Sequence, residues 1–233
     1  MKKIVVFSGA GMSAESGINT FRDSGGLWEK FKVEDVATPD AWRNNPELVQ
    51  EFYNERRKQI IKALPNKAHF DIATLENNFN VVVITQNIDD LHERAGSTNV
   101  IHLHGNIRYA KSSGPKQEET YYPIKGWELK TSDLCKDGFP LRPHVVWFGE
   151  EVPLFGVAQR EIETGDILIV IGTSLQVYPA ASLVHYTREV AEKYLIDPNG
   201  AKLGLSNGFE VICQEAVIGI ETCIKMINKK SDA

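Results

Sequence analysis

The sequence predicts an α/β fold in which a doubly wound parallel sheet carries a smaller second module. Short apolar runs typical of buried parallel strands recur along the chain, and helical patterns separate several of them. A glycine-rich turn follows the first run, at the place where such sheets bind nucleotides. The length of 233 residues suffices for one large domain or for a main domain with a smaller one.

The predicted strands are runs rich in Val, Ile and Leu, and they cover residues 4–7, 81–85, 100–103, 167–171 and 193–196. A helical period predicts helices over residues 46–64, 69–77 and 180–192. Because strands and helices alternate, we expect helices on both faces of the sheet. We interpret residues 228–233 as a frayed polar tail.

Two segments interrupt this alternation and are predicted to form the smaller module. Residues 23–65 are helical and amphipathic, whereas residues 106–142 are rich in Gly, Pro, Lys and Ser and have little periodicity. The large domain would then comprise residues 1–22, 66–105 and 143–233 of a single unit spanning 1–233.

Composition excludes several classes of protein. A formal net charge of -5, from 26 basic and 31 acidic residues, argues against a nucleic-acid partner. The longest apolar run is too short to cross a membrane, and no secretory signal is evident, so we expect a soluble cytoplasmic protein. Cys135, Cys213 and Cys223 have no CxxC spacing, so neither a disulfide framework nor a tetrathiolate site is indicated. The sequence gives no indication of oligomeric state.

Polar or glycine-rich segments follow four predicted strands. Gly9 and Gly11 allow a phosphate to approach bare backbone, but the spacing matches neither a dinucleotide fingerprint nor a P-loop. After the second strand, residues 85–89 read TQNID and suit a ribose or an amide, or alternatively cap the next helix. The turn at residues 172–174 suits a phosphate or ribose, and an ordinary helix cap explains it equally well.

His102 and His104 are two residues apart on a predicted strand, so we expect them on one face. His104 lies at the strand end beside Gly105, where a histidine can act as a general base. A structural histidine or a metal-binding pair is the alternative.

Together these motifs resemble one family, the sirtuins, which are NAD-dependent protein lysine deacylases. The matching motifs stand in the family's order over residues 3 to 216, and they read GAGMSAESGINTFR, TQNIDDLHERAG, HLHG, RPHVVWFGE and GTSLQVYPA. The resemblance implies a Rossmann-type large domain, a small domain made of the two insertions, and a cleft between them for NAD and an acyl-lysine peptide.

The resemblance also implies roles for individual residues. His104 and Asn87 would be catalytic. The NAD site would be formed by Gly9, Ala10, Gly11, Ala14, Glu15, Phe21, Arg22, Trp28, Gln86, Asn87, Ile88, Asp89, Gly172, Thr173, Ser174, Asp197 and Ala216. The peptide would contact Val145, Val146, Phe148, Gly149, Glu150 and Val177. Asp197 stands where the family usually has Asn, which keeps an acceptor and loses a donor.

The implied reaction takes acyl groups from lysine to ADP-ribose and releases nicotinamide, with His104 removing a proton from a ribose hydroxyl and Phe21 excluding water. Two further functions remain open: a sirtuin-like protein ADP-ribosyltransferase, and a module that binds NAD or ADP-ribose without turnover.

Tyr53 and Arg56 bear on the acyl group. Three residues apart in a predicted helix, they share a face on which a phenol and a guanidinium could bind one carboxylate. A half-buried Tyr beside a solvated Arg is the alternative. The pair resembles the signature of sirtuins that remove succinyl and malonyl as well as acetyl groups, so we expect desuccinylase activity.

The chain departs from most sirtuins at the zinc site. The family has four cysteines between the catalytic histidine and the RPHVVWFGE segment, where this chain has only Cys135. One thiolate cannot build a structural zinc site, so we predict no metal. We expect an aromatic cluster of Tyr109, Tyr121, Tyr122 and Trp127 to stabilise the segment instead.

Overall fold

The computed structural model describes residues 1–18, 31–205 and 208–231. Its larger sheet is parallel, with the strand order β3-β2-β1-β7-β8-β9. These strands are β1 (Lys3–Ser8), β2 (Asn80–Thr85), β3 (Val100–His102), β7 (Ile167–Ile171), β8 (Glu192–Ile196) and β9 (Phe209–Ile212). The smaller sheet is antiparallel, with the order β5-β4-β6, and consists of β4 (Gly105–Ser112), β5 (Tyr121–Pro123) and β6 (Leu141–Val145).

Helices connect most of these strands. The α-helices are α1 (Gly11–Ala14), α2 (Val33–Val36), α3 (Pro39–Asn44), α4 (Pro46–Lys62), α5 (Lys67–Thr74), α6 (Leu91–Ala95), α7 (Phe155–Glu163) and α8 (Ala216–Ser231). Short 3₁₀ helices cover Leu75–Asn77, Ala180–Tyr186 and Gly200–Lys202. No helix of the described residues is long and apolar enough to cross a membrane.

Both faces of the larger sheet are buried, as the sequence predicts for a doubly wound fold. On β1, Ile4 and Val6 belong to one apolar cluster, while Val5 and Phe7 belong to a second cluster on the opposite face. The strand order reverses at β1, which pairs with β2 on one side and β7 on the other. This switch point is where open α/β sheets bind ligands.

The smaller sheet shares a core with the helices of residues 33–62. Phe52 and Tyr53 of α4 pack in one cluster with Ile107 of β4, Val145 of β6 and Trp147. Segments distant in sequence therefore meet in one apolar layer beside the larger sheet.

The expected aromatic cluster in the 106–142 segment is wrong. The core of the smaller sheet consists of Ala110, Ile124, Leu129, Cys135 and Leu141, with Tyr122 packed at its margin. Tyr109, Tyr121 and Trp127 are each about two-fifths exposed, at 39%, 41% and 41%. Neighbouring residues of a strand point to opposite faces, so Tyr121 and Tyr122 cannot both enter one core.

Three predictions near the C-terminus also need correction. Residues 180–192 form the 3₁₀ helix Ala180–Tyr186 rather than a long α-helix, because β8 already begins at Glu192 in register with Ile167. Strand β9 was missed, since it lies at the sheet edge with Glu210 and Val211 exposed. Helix α8 continues to Ser231, through most of the predicted tail.

Candidate active site

The carboxyl ends of β1, β2 and β7 meet at one edge of the larger sheet. The Gly9 N–H donates to Ile171 O at 3.0 Å, and the Gly11 N–H donates to Gly172 O at 2.8 Å. From the next strand, the Gln86 N–H donates to Ser8 O at 2.9 Å. These bonds hold the three turns against one another, so that they form one cradle.

Glycine is required in this cradle because the two turns touch. A Cβ at Gly9 would lie 2.6 Å from the Thr173 Cβ, and one at Gly11 would lie 2.8 Å from the Gly172 Cα. Gly172 has a φ of +61°, and a Cβ there would collide with the Met12 backbone nitrogen. Such bare backbone is what a phosphate approaches, so the cradle suits the pyrophosphate of a dinucleotide.

Asn87 and Asp89 are connected to the cradle through Ser13. The Asn87 amide donates to Gly9 O at 3.1 Å and to Ser13 Oγ at 3.0 Å, and the Ser13 hydroxyl donates to Asp89 Oδ2 at 3.0 Å. The other oxygen of Asp89 accepts the Leu91 N–H at the start of α6. Burial raises the pKa of Asp89. Asp89 therefore contacts both the first N–H of α6 and Ser13. Ser13 is a link that sequence reasoning missed although it stands inside the glycine motif.

Two other residues of the TQNID segment make contacts across the molecule. The Gln86 amide donates to Thr173 Oγ1 at 3.0 Å, which joins the turns after β2 and β7. Ile88 O accepts the Ile107 N–H at 2.9 Å, and its side chain packs on the core beside α4. The segment therefore bridges the two sheets.

His104 presents a single basic nitrogen. Its Nδ1 lies 2.9 Å from Gln86 O, and because a carbonyl only accepts, Nδ1 carries the proton of the neutral ring. Nε2 then holds the lone pair. Burial lowers the pKa of His104 below its ordinary value of 6.5, and the bond to Gln86 opposes this only in part. The ring is thus neutral at pH 7 and able to accept a proton.

The pKa of His102 is shifted in the opposite direction from that of His104. Its Nδ1 is 3.3 Å from Asn87 O and its Nε2 is 2.6 Å from Glu93 Oε1, so both nitrogens meet acceptors. Burial opposes the charge on His102, but the hydrogen bond to Glu93 and the charge of Glu93 outweigh it and raise the pKa of His102. The two histidines contact consecutive carbonyls of the TQNID segment, and His102 also contacts the Glu93 carboxylate. These contacts indicate a structural role for His102.

Several proposed cofactor residues lie at the margin of the cradle. Glu15 is exposed, and its Oε2 accepts the Val217 N–H at 2.8 Å, beside the buried Ala216 at the start of α8. Asp197 Oδ1 accepts the Asn199 N–H at 2.8 Å after β8. Ala10 precedes α1 and Ala14 ends it, while Ser174 follows Thr173 in the turn after β7. Phe21, Arg22 and Trp28 lie outside the described residues.

An ion pair organises the segment predicted to bind peptide. Arg142, only 4% exposed, donates to both oxygens of Glu150 at 2.6 and 2.9 Å, and to Val145 O at 2.9 Å. The side chain of Val145 belongs to the core, whereas Phe148 is 46% exposed and precedes Gly149. The carbonyl of Val145 is therefore occupied, and Arg142 is a second residue that sequence reasoning missed.

The same segment is attached to both the histidine and the helical layer. The Val146 N–H donates to His104 O at 3.0 Å, and the Phe148 N–H donates to Ala37 O at 3.0 Å. Val177, 36% exposed, follows the turn after β7. Val146 of the candidate peptide-binding segment is thus bonded directly to the backbone of the candidate base.

Tyr53 and Arg56 occupy one face of α4. Tyr53 is 2% exposed, and its hydroxyl oxygen accepts the Trp147 indole N–H at 3.1 Å. Burial raises the pKa of Tyr53 to about 12. Burial lowers the pKa of Arg56, while Tyr53 and Asp89 act in the opposite direction. The neighbouring Arg57 is structural, because it donates to Ile107 O and Trp127 O.

Within residues 1–18, 31–205 and 208–231, no group of three or more His, Cys, Asp or Glu side chains could hold a metal ion. Cys135 Sγ lies 3.4 Å from Ser112 Oγ inside the small core. The absence of zinc remains a prediction.

Comparison with known proteins identifies the family. The model of the Sir2 family matches residues 9–179. The chain belongs to the Sir2 family. A curated protein of Bacteroides thetaiotaomicron named NAD-dependent protein deacylase is 51% identical over 95% of this chain and 96% of its own length. A Helicobacter pylori protein of the same name is 49% identical over 93% of this chain and 92% of its own.

Solved structures agree with this membership. A Sir2 homologue in complex with NAD has a TM-score of 0.87 and 38% identity, with 98% of this chain and 90% of the other covered. The α/β fold with a Rossmann-type parallel sheet is confirmed, and the resemblance of the five sequence motifs to this family was correct.

Proposed function

We propose that this chain is an NAD-dependent protein deacylase that transfers acyl groups from lysine to ADP-ribose and releases nicotinamide. The observation that carries this proposal is the neutral His104, whose Nδ1 is held by Gln86 O so that Nε2 keeps its lone pair, while the Gln86 amide donates to Thr173 in the cradle. The curated relatives of that name support it, since they match nearly the whole chain.

Each part of the site has a task in this proposal. Bound NAD supplies an electrophilic ribose carbon with nicotinamide as its leaving group. The bare backbone of Gly9, Gly11 and Gly172 holds phosphate, while Asn87, fixed by Ser13, orients the sugar end. Val146, Phe148, Gly149 and Glu150 bind the peptide backbone as an added strand. His104 Nε2 accepts the proton of a ribose hydroxyl.

The test is mass spectrometry of acetyl-lysine and succinyl-lysine peptides incubated with NAD and the wild-type chain. We expect acyl loss matched by nicotinamide release. His104→Tyr should lower the rate by about 10²- to 10⁴-fold, the usual contribution of a general base. His185→Tyr, at an exposed histidine, is the matched control and should retain activity. ADP-ribose attached to protein, or NAD binding without turnover, would contradict the proposal.

We further propose that the enzyme removes succinyl and malonyl groups as well as acetyl. Tyr53 and Arg56 support this, because both project from one face of α4 and Arg56 lies within the electrostatic influence of Asp89 at the cradle. A carboxylate at the end of an acyl chain would meet a phenol donor and a guanidinium together.

Arg56→Met should selectively reduce desuccinylation. Loss of a charge-assisted contact costs roughly 1.5–3 kcal/mol, so kcat/KM for a succinyl peptide should fall by about 10- to 150-fold while the acetyl value changes little. Arg43→Met, at an exposed arginine paired with Asp40, is the matched control. Equal losses for both peptides would refute the assignment of Arg56.

A further inference from the structure

Trp147 links the candidate peptide-binding segment to the candidate acyl site. Its indole Nε1 lies 3.1 Å from the Tyr53 hydroxyl oxygen, and each side chain is only 2% exposed. An indole N–H can donate but cannot accept. The phenol oxygen must therefore be the acceptor in this bond.

This polarity determines what the Tyr53 hydroxyl can do next. The Tyr53 hydroxyl does not donate its hydrogen to Trp147, so this hydrogen can be donated to another acceptor. The charged neighbour on the same helix face, Arg56, carries donors only and cannot take it. A ligand carboxylate at this face has the acceptor oxygens that can take the Tyr53 proton.

Trp147 is itself held in position by several contacts. Its backbone N–H donates to Glu150 Oε2 at 2.8 Å, and the guanidinium carbon of Arg142 lies 3.3 Å from the centre of its ring. Arg142 also binds both oxygens of Glu150. On the helical side, Trp42 packs against Trp147 with ring centres 5.9 Å apart. The indole N–H is thus aimed by a rigid arrangement of neighbours.

We propose that Trp147 is a positioning residue for acyl specificity: its indole N–H fixes the Tyr53 hydroxyl so that the phenol proton is donated to the terminal carboxylate of a dicarboxylic acyl chain. This inference rests on the proposed deacylase function. An acetyl group has no terminal carboxylate, so Trp147 should not influence its recognition.

Trp147→Phe removes the N–H donor and keeps an aromatic ring. For a succinyl-lysine peptide we expect KM to rise about five- to tenfold, the fold-change of one lost hydrogen bond, with kcat within twofold. For an acetyl-lysine peptide both parameters should stay within twofold. Trp42→Phe is the matched control. It also alters an indole that packs on the Trp147 ring, but it leaves in place the Trp147 indole, which is the one that donates to the Tyr53 hydroxyl. Its ratio of succinyl to acetyl KM should equal that of wild type.

Tyr53→Phe tests whether Trp147 acts through the phenol. The variant should raise the succinyl KM selectively, and the double variant Trp147→Phe/Tyr53→Phe should be no worse than Tyr53→Phe alone. Additive losses in the double variant, or equal losses for both peptides, would overturn the inference. An unchanged succinyl KM in Tyr53→Phe would also overturn the inference, and this measurement does not require that Trp147→Phe folds.

The outcomes also separate this inference from the function beneath it. A wild-type chain that releases neither acyl group overturns the proposed function and the inference with it. An active wild type whose Arg56→Met variant loses succinyl activity, while Trp147→Phe does not, overturns the role of Trp147 alone.

Discussion

Two histidines separated by one residue have pKa values shifted in opposite directions in this site. His104 is partly buried and has one carbonyl partner, so desolvation lowers its pKa and leaves it neutral at pH 7. His102 meets Glu93 as well as a carbonyl, and despite burial that contact raises its pKa. Neighbouring groups, rather than position in the sequence, determine which of the two can act as a base.

The pH dependence of the reaction should reflect the state of His104. Because burial lowers its pKa below 6.5, deacetylation should keep more than half of its full kcat/KM as pH falls from 7.5 to 6.5. Below the pKa the rate should drop about tenfold per pH unit, since the protonated ring cannot accept a proton. The measurement is a pH–rate profile with an acetyl peptide, whose acyl group does not titrate. An acidic limb centred above pH 7 would contradict this assignment.

At the scale of elements, the turns after β1 and β7 are so close that backbone meets backbone. The hydrogen bond from Gly11 N–H to Gly172 O spans 2.8 Å, and neither turn has space for a Cβ. The cradle therefore depends on the absence of side chains at Gly9, Gly11 and Gly172 as much as on any residue that is present.

Gly172→Ala should destabilise the fold and weaken NAD binding together. Gly17→Ala is a matched control, because Gly17 also has a positive φ, +80°, but a Cβ added there would meet no neighbouring atom within 4 Å. We expect the unfolding free energy to fall by about 1 kcal/mol for Gly17→Ala, from strain alone, and by roughly 3 kcal/mol for Gly172→Ala, where a collision is added. Urea denaturation with and without NAD measures both effects. Equal losses in the two variants would argue against the close approach.

At the scale of the whole molecule, a buried histidine pair lies between α5 and α6. The rings of His69 and His92 lie 4.9 Å apart, with Asn66 bonded to one and Ser8 to the other. Burial lowers the pKa of His69 to about 4, and burial also lowers that of His92. Protonation of either ring is thus disfavoured in the folded chain.

Stability should consequently fall between pH 6.5 and pH 4. In that window the unfolded chain binds more protons than the folded chain, and the contribution of His69 is on the order of 3 kcal/mol. Urea unfolding at pH 6.5 and 4.5 should show the loss, and His69→Gln should reduce it. His185→Gln, at an exposed histidine, serves as the control and should leave the pH dependence intact. A pH dependence that His69→Gln leaves unchanged would show that other groups dominate.

Zinc content is the second prediction at this scale. The small core around Cys135 is apolar, with Ile124, Leu129 and Leu141 packed together, and one thiol cannot complete a tetrahedral site. Metal analysis of the purified, untagged chain should find less than about one zinc per ten molecules, and chelator should leave its melting temperature unchanged. Stoichiometric zinc would refute the prediction.

The sequence by itself determined the strands of the larger sheet, except for β9, and the polar segments at their ends. Apolar runs and strand-end glycines are local patterns, and a parallel sheet brings the carboxyl ends of its strands to one edge wherever they lie in the chain. His104, Asn87 and the glycine turns could be found in this way.

Only the tertiary structure decided which partners those residues have. Trp147 meets Tyr53 across 94 positions, and Ser13 meets Asp89 across 76. Tyr121 and Trp127, expected in a core, lie at the surface instead. Local patterns specify periodicity and turns, but a contact between distant segments depends on how whole faces pack. The tautomer of His104, the raised pKa of His102 and the polarity of the Tyr53 hydrogen bond all follow from such contacts.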